Sequence, residues 1–166
     1  MAIIVETGSG ISGANSYVSL ASADSYFGLR GNNTWVDGDD DAKEAALIKA
    51  CSYMETFSWN GVKALSTQNL EWPRRNVIDQ NGYYVSATCI PMRVKNAQSE
   101  LAYRYFSGND PAPDLDSSGT VVRERVDVIE VEYDRGGTKA VPEFTYVDAL
   151  LKPFLKSSLN VGVVRA

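Results

Sequence analysis

The sequence predicts a mainly α protein: a small helical bundle with a β-hairpin and strand excursion, and extended N- and C-terminal arms. Three observations carry this reading. Two stretches repeat apolar residues at helical spacing, Leu47-Ala50-Met54-Phe57 and Val94-Ala97-Leu101-Tyr105. The sequence between them has no helical period and holds Asn81-Gly82, a tight-turn dipeptide. At the ends, a glycine-rich stretch after Ala2-Ile3-Ile4-Val5 and a weakly alternating tail over 157–166 read as arms.

The N-terminal segment, 1–18, contains Gly8-Ser9-Gly10-Ile11-Ser12-Gly13, a literal G-x-G-x-x-G. As a dinucleotide fingerprint it would need the third glycine to open a helix whose N–H groups face a pyrophosphate. Asn15-Ser16-Tyr17-Val18 follows instead and looks extended. The glycines are therefore expected to form a flexible turn that lets an N-terminal strand reach away from the bundle.

The helical body spans 19–108. A first helix is predicted from Leu20 to about Arg30, with Ser19 as N-cap and Gly31 just past the end. Asp37-Gly38-Asp39-Asp40-Asp41 imitates the start of an EF-hand loop, but Ala42 stands where its glycine belongs and Ile48 where its bidentate Glu belongs, so no calcium site is expected. Asp41-Ala42-Lys43-Glu44 has capping-box spacing and opens a second helix over 41–57. Ala46 and Cys51 widen its apolar stripe, and Lys43, Glu44 and Lys49 fall on other faces. A third helix starts at Pro91 and stops at Gly108.

The inserted stretch between the second and third helices reads as a loop followed by a hairpin, with Val77-Ile78 and Tyr83-Tyr84-Val85 on either side of Asn81-Gly82. It also carries Leu70-Glu71-Trp72-Pro73-Arg74-Arg75. A tryptophan beside two arginines is the chemistry of single-stranded nucleic-acid binding, by stacking and phosphate pairing. The competing reading, which the sequence favours, is structural: Trp72 anchors the crossing loop, Pro73 fixes its exit, and Arg74 ties it to a carboxylate.

Residues 109–145 begin with an acidic, proline-containing link and continue into alternation. Val122 and Val126 flank Glu124, and Ile129, Val131 and Tyr133 flank Glu130 and Glu132, which predicts two short strands with one apolar and one charged face each. Such a pair is marginal alone, so Arg123, Glu124, Arg125, Glu130 and Glu132 form one candidate interface. In the last segment, 146–166, Val147, Leu150, Leu151 and Phe154 share a side that Pro153 should interrupt. The tail beyond it carries Leu159, Val161, Val163, Val164 and Arg165 and is the first candidate for a partner contact.

Composition limits the chemistry. The 166 residues suit a single domain, and they contain no histidine, which excludes Ser-His-Asp triads, Cys-His dyads and His-based metal sites within this chain. No catalytic constellation, cofactor or metal is expected. Sixteen Lys and Arg against twenty-one Asp and Glu give a net charge of −5, which argues against DNA as the main ligand. Cys51 and Cys89 lack CxxC spacing and are expected to be small buried hydrophobes in a reducing compartment. With no signal-like segment and no apolar run of membrane-spanning length, a soluble protein made in the cytoplasm is expected.

The order of the pieces carries a resemblance. The succession IVETGSGISGANSYVSLASADSYF, KEAALIKACSYM, LEWPRRNV, PMRVKNAQSELAYRYF, VVRERVDVIEVEY and VDALLKPFL resembles, over nearly the whole chain, a family of tailed-phage virion-assembly proteins often labelled DnaT-like single-stranded-DNA-binding proteins. It is also similar to head-to-tail connector adaptors. The resemblance implies a homo-oligomer, a dodecameric ring beneath the portal protein that joins it to the next neck or tail protein in the virion. DNA would pass its channel without specific binding, and no membrane is involved. The alternative the label offers is a single-stranded-DNA-binding protein acting through Trp72, Arg74, Arg75 and neighbouring tyrosines.

Overall fold

The computed structural model describes residues 2–111, 121–125, 130–133 and 144–156. It is mainly helical and divides into two compact units, one of Met1–Pro111 with Thr145–Ala166 and one of Ala112–Phe144. In the first unit α1 (Leu20–Gly28), α2 (Asn33–Val36), α3 (Asp40–Met54) and α4 (Met92–Phe106) are followed by α5 (Thr145–Leu151) and a 3-10 turn over Lys152–Phe154. Two-residue strands β1 (Val62–Lys63) and β2 (Arg74–Arg75) pair antiparallel in the stretch between α3 and α4.

Local chemistry sets these boundaries. Ser19 caps α1 by accepting from the Ser22 N–H at 3.2 Å, and Gly31 takes a positive φ of 67° beyond its end. The cap of α3 is Asp39, whose carboxylate accepts from the Ala42 N–H at 3.0 Å, two residues earlier than the Asp41 cap expected from spacing. Asp40 and Asp41 then occupy the first turn, where negative charge complements the helix dipole. The helix ends at Met54, short of Phe57, because Thr56 and Phe57 bond three residues back and tighten the chain out of the helix. α4 starts after Pro91 as expected.

The core is the α3–α4 contact. Leu47, Ala50 and Met54 of α3 are fully buried, as are Val94, Ala97, Leu101 and Ala102 of α4, and α5 packs on α4 through its buried side, which includes Val147 and Leu151. Pro153 interrupts the last helix where expected: it ends at Leu151 and tightens to 3-10 geometry. One buried amide ties three segments together. Gln98 on α4 donates to the Leu47 carbonyl at 2.9 Å and to Ser16 Oγ at 2.8 Å, and accepts from the Tyr17 N–H at 2.9 Å.

Several expectations are corrected. Residues 6–18 do not reach away from the bundle: Glu6, Ala14, Ser16, Tyr17 and Val18 are buried, and the Glu6 N–H donates to the Ser16 carbonyl at 2.8 Å. Gln98 and Tyr17 pull this segment onto the body, so the glycines form a packed loop. Lys43 is buried, its stem covered and its ammonium held by Asp40 and the Val36 carbonyl, both at 3.1 Å, and by Asp24 at 3.5 Å. Cys51 is buried as expected, but Cys89 is exposed on the loop before α4. α2, too short for its sequence to show a helical period, places Trp35 in the core against Phe27 and Phe106, with its indole N–H donating to Asp24 at 2.9 Å.

In the second unit β3 (Val121–Arg125) and β4 (Glu130–Tyr133) form the expected antiparallel pair. The register sets Arg123 opposite Glu132 and Arg125 opposite Glu130, and it shifts between Val121 and Arg123. The tail with Leu159, Val161, Val163, Val164 and Arg165 lies outside the described residues.

Candidate functional site

The Trp72-Pro73-Arg74-Arg75 stretch is turned inward except for its last residue. Trp72 is 0% exposed and packs edge-on against Trp59 and Phe154, with ring centroids 5.8 Å and 5.6 Å away. The Trp72–Pro73 peptide is cis, and the Pro73 carbonyl accepts from the Ala64 N–H and from Gln68 Nε2, each at 3.0 Å. All three nitrogens of the Arg74 guanidinium donate hydrogen bonds. Its Nε donates to the Asn60 carbonyl at 2.7 Å, Nη2 to the Gly61 carbonyl at 3.0 Å, and Nη1 to the Glu71 carbonyl and carboxylate. Gly61 is required here, since its φ is 71° and a Cβ would lie 2.1 Å from the Arg75 carbonyl oxygen. Trp72, Pro73 and Arg74 are therefore parts of the body, and Arg75 alone of the four is exposed.

A polar cluster supports this loop from below. Tyr17 donates its hydroxyl to Glu55 and accepts from the Trp72 N–H at 3.1 Å, while the other Glu55 oxygen accepts from the Glu71 N–H at 2.6 Å. Burial holds the Glu55 carboxyl above its ordinary range, and burial together with the Glu55 charge raises the Tyr17 hydroxyl. Glu71 also holds Lys63 at 3.1 Å. These groups support one another and the loop above them.

The glycine loop is an anion nest filled by the chain itself. The buried Glu6 carboxylate accepts from the N–H groups of Gly8 (2.7 Å), Gly10 (3.0 Å) and Ile11 (2.6 Å). Those are the donors a pyrophosphate would need, and no helix opens at Gly13, where the chain stays non-helical up to Ser19. Glu6, two residues before the first glycine of an otherwise apolar start, was the signal the sequence offered for this.

The remaining candidate surface is exposed and largely apolar. The hairpin forms as expected, with the Val85 N–H donating to the Val77 carbonyl at 2.9 Å and the Asp79 N–H to the Tyr83 carbonyl at 2.8 Å. It presents Tyr83 and Tyr84 at 72% and 75% exposure. Beside it, the hairpin turn, the start of α4 and the 3-10 turn enclose a cleft of about 230 Å³ lined by Asp79, Met92, Arg93 and Phe154 among others. A second groove, of about 680 Å³, runs between α1 and α4, with Leu29 (88% exposed) and Met92 (68% exposed) on its rims. Among the described residues no group of three or more His, Cys, Asp or Glu is arranged to hold a metal ion, and no helix is long and apolar enough to cross a membrane.

Over residues 1–166 the chain matches the family described as "Putative DnaT-like ssDNA binding protein". The chain belongs to that family. No curated protein and no solved structure matches it. Within this DnaT-like chain, the residues that sequence reasoning would assign to single-stranded DNA separate into two sets: Trp72 and Arg74 are internal, and Arg75, Tyr83 and Tyr84 are on the surface.

Proposed function

We propose that this DnaT-like protein is a structural adaptor of a tailed-phage virion. Its copies assemble as a ring, dodecameric by the resemblance, beneath the portal protein and connect it to the next neck or tail protein. The protein is made in the host cytoplasm and ends in the virion neck. One observation carries the reading: the Trp72 and Arg74 side chains of the WPRR stretch are consumed by internal packing, while the large side chains on the surface, among them Leu29, Met92, Tyr83 and Tyr84, are those of contact faces between proteins. An acidic chain also suits a channel in which DNA slides, because like charge opposes phosphate binding. The reading assigns no catalytic residue. Light-scattering mass measurement of the protein alone and mixed with purified portal rings tests it.

A second reading has one observation in its favour. Tyr83 and Tyr84 stand exposed on one hairpin and Arg75 is exposed on β2, and exposed aromatics and cations are the side chains that stack on and pair with single-stranded DNA. Fluorescence anisotropy with a labelled oligothymidylate at moderate salt separates the readings. Saturable binding lost in Tyr83→Ala/Tyr84→Ala would favour the DNA reading; no binding favours the adaptor.

A further inference from the structure

The groove between α1 and α4 carries positive charge on its lining, and the hydroxyl of Tyr26, also in the lining, donates to Glu100 at 2.8 Å. Ser22, Ser25 and Leu29 of α1 form one wall, and Met92 and Lys95 of α4 stand on the other. The charged residues among those that line it are Arg30 and Lys95, and no carboxylate is among them, in a chain whose net charge is −5. Arg30 is held in place, its guanidinium 3.5 Å from the centre of the Tyr26 ring and donating to the Tyr26 carbonyl at 2.9 Å. Small side chains on the α1 wall leave room for a backbone to approach, and the exposed Leu29 and Met92 supply apolar anchors. The groove suits an acidic protein segment with an apolar residue in it.

The same molecule carries such a segment on another face. The corner between α2 and α3 runs Val36-Asp37-Gly38-Asp39-Asp40-Asp41, with Val36, Asp37 and Asp39 exposed. It is backed by Asp24 of α1, which accepts from the Trp35 indole and pairs with Lys43. On α1, Asp24 lies roughly a third of a turn around the axis from the Ser22, Ser25 and Leu29 line. Groove and corner are therefore different surfaces of one body, and a pairing that two copies do not reciprocate leaves a free groove at one end and a free corner at the other. Pairing the groove of one copy with the corner of the next is a head-to-tail interface, the kind that generates rings when its rotation closes.

We infer that the α1–α4 groove receives the acidic corner of a second copy, Val36 between the apolar rims and the aspartates toward Arg30 and Lys95. This rests on the ring reading above and specifies which faces make the ring. Charge pairing across partly exposed surface gives orientation and salt sensitivity, and the apolar contacts give residence.

The test uses full-length chains and light-scattering mass at low and high salt. One variant blocks the groove by size, Ser25→Trp; a second reverses it, Arg30→Glu/Lys95→Glu; a third alters the corner, Asp37→Lys/Asp39→Asn, where asparagine keeps the helix cap. Each should retain the parent's circular dichroism and associate at least about tenfold more weakly. A mixture of groove-blocked and corner-altered chains should give one-to-one complexes and nothing larger, since one intact groove and one intact corner remain. Variants that assemble like the parent, or parent assembly insensitive to salt, would overturn this pairing while the ring reading stands. A parent that stays monomeric in low salt at millimolar concentration would also overturn it, and leaves assembly on a portal to its own measurement.

Discussion

The indole of Trp72 meets the ring of Phe154 edge to face, with centroids 5.6 Å apart and planes at 84°, so the loop that crosses between α3 and α4 is fastened to the last turn of the described chain. Trp59 closes the same cluster from the other side, its indole N–H donating to the Met54 carbonyl at 3.2 Å. Truncating Trp72 to alanine should therefore destabilise the fold by about 3 to 5 kcal/mol in urea unfolding, the usual range for deleting a buried large aromatic. Trp72→Phe should cost less, because the Trp72 indole N–H is buried without a hydrogen-bond partner among the described residues. A Trp72→Ala chain that unfolds like the parent but loses a ligand would make the stretch a binding site.

Glu6 gives the second prediction. Replacing it with alanine leaves the N–H groups of Gly8, Gly10 and Ile11 without their acceptor and should cost about 3 kcal/mol, while Glu6→Gln, which keeps one oxygen, should cost less. The same geometry predicts that the parent shows no saturable NAD binding by calorimetry, since its own carboxylate occupies the nest. A micromolar NAD isotherm would contradict it.

Glu55 supplies a pH dependence. Its carboxyl titrates above the ordinary range in the folded chain, chiefly because burial disfavours the charge. The folded state therefore binds this proton more tightly than the unfolded state. The stabilisation is fully present below the ordinary carboxylate range and is lost as pH rises through the raised value. In paired urea titrations, the stability of the parent relative to Glu55→Gln should fall as pH rises from the carboxylate range to neutrality. A difference that stays flat, or that grows with pH, would show that Glu55 does not titrate as its surroundings require.

How far the sequence could be read follows from how local each feature is. α3 and α4 were legible because their apolar spacing repeats over fifteen residues each, and Pro153 marked the end of α5 because its ring cannot continue a helix. Four residues are too few to show a period, so α2 was missed although it carries Trp35. Lys43 read as a surface residue because Asp24, its partner in the core, lies on another helix. The G-x-G-x-x-G motif was correctly denied its helix, yet the carboxylate filling it and the packing of residues 6–18 depend on Gln98, a contact across the fold. The groove could not be read at all, since one of its walls belongs to α4.

Residues 157–166 lie outside the described structure, and their sequence gives another prediction. Leu159, Val161, Val163 and Val164 gain nothing from water. Deleting 157–166 should leave circular dichroism and thermal unfolding of the monomer nearly unchanged while abolishing co-sedimentation with portal rings. If the shortened chain still docks, the strands with Arg123, Glu124, Arg125, Glu130 and Glu132 become the portal contact to test.

The adaptor assignment itself is tested most directly by the mass of the complex formed when the full-length protein is mixed with purified portal rings. The account predicts one discrete ring-shaped species with a fixed number of copies per portal, disrupted when residues 157–166 are removed and unchanged by added single-stranded DNA. A protein that never joins the portal, yet binds an oligothymidylate saturably through Tyr83 and Tyr84, would contradict it.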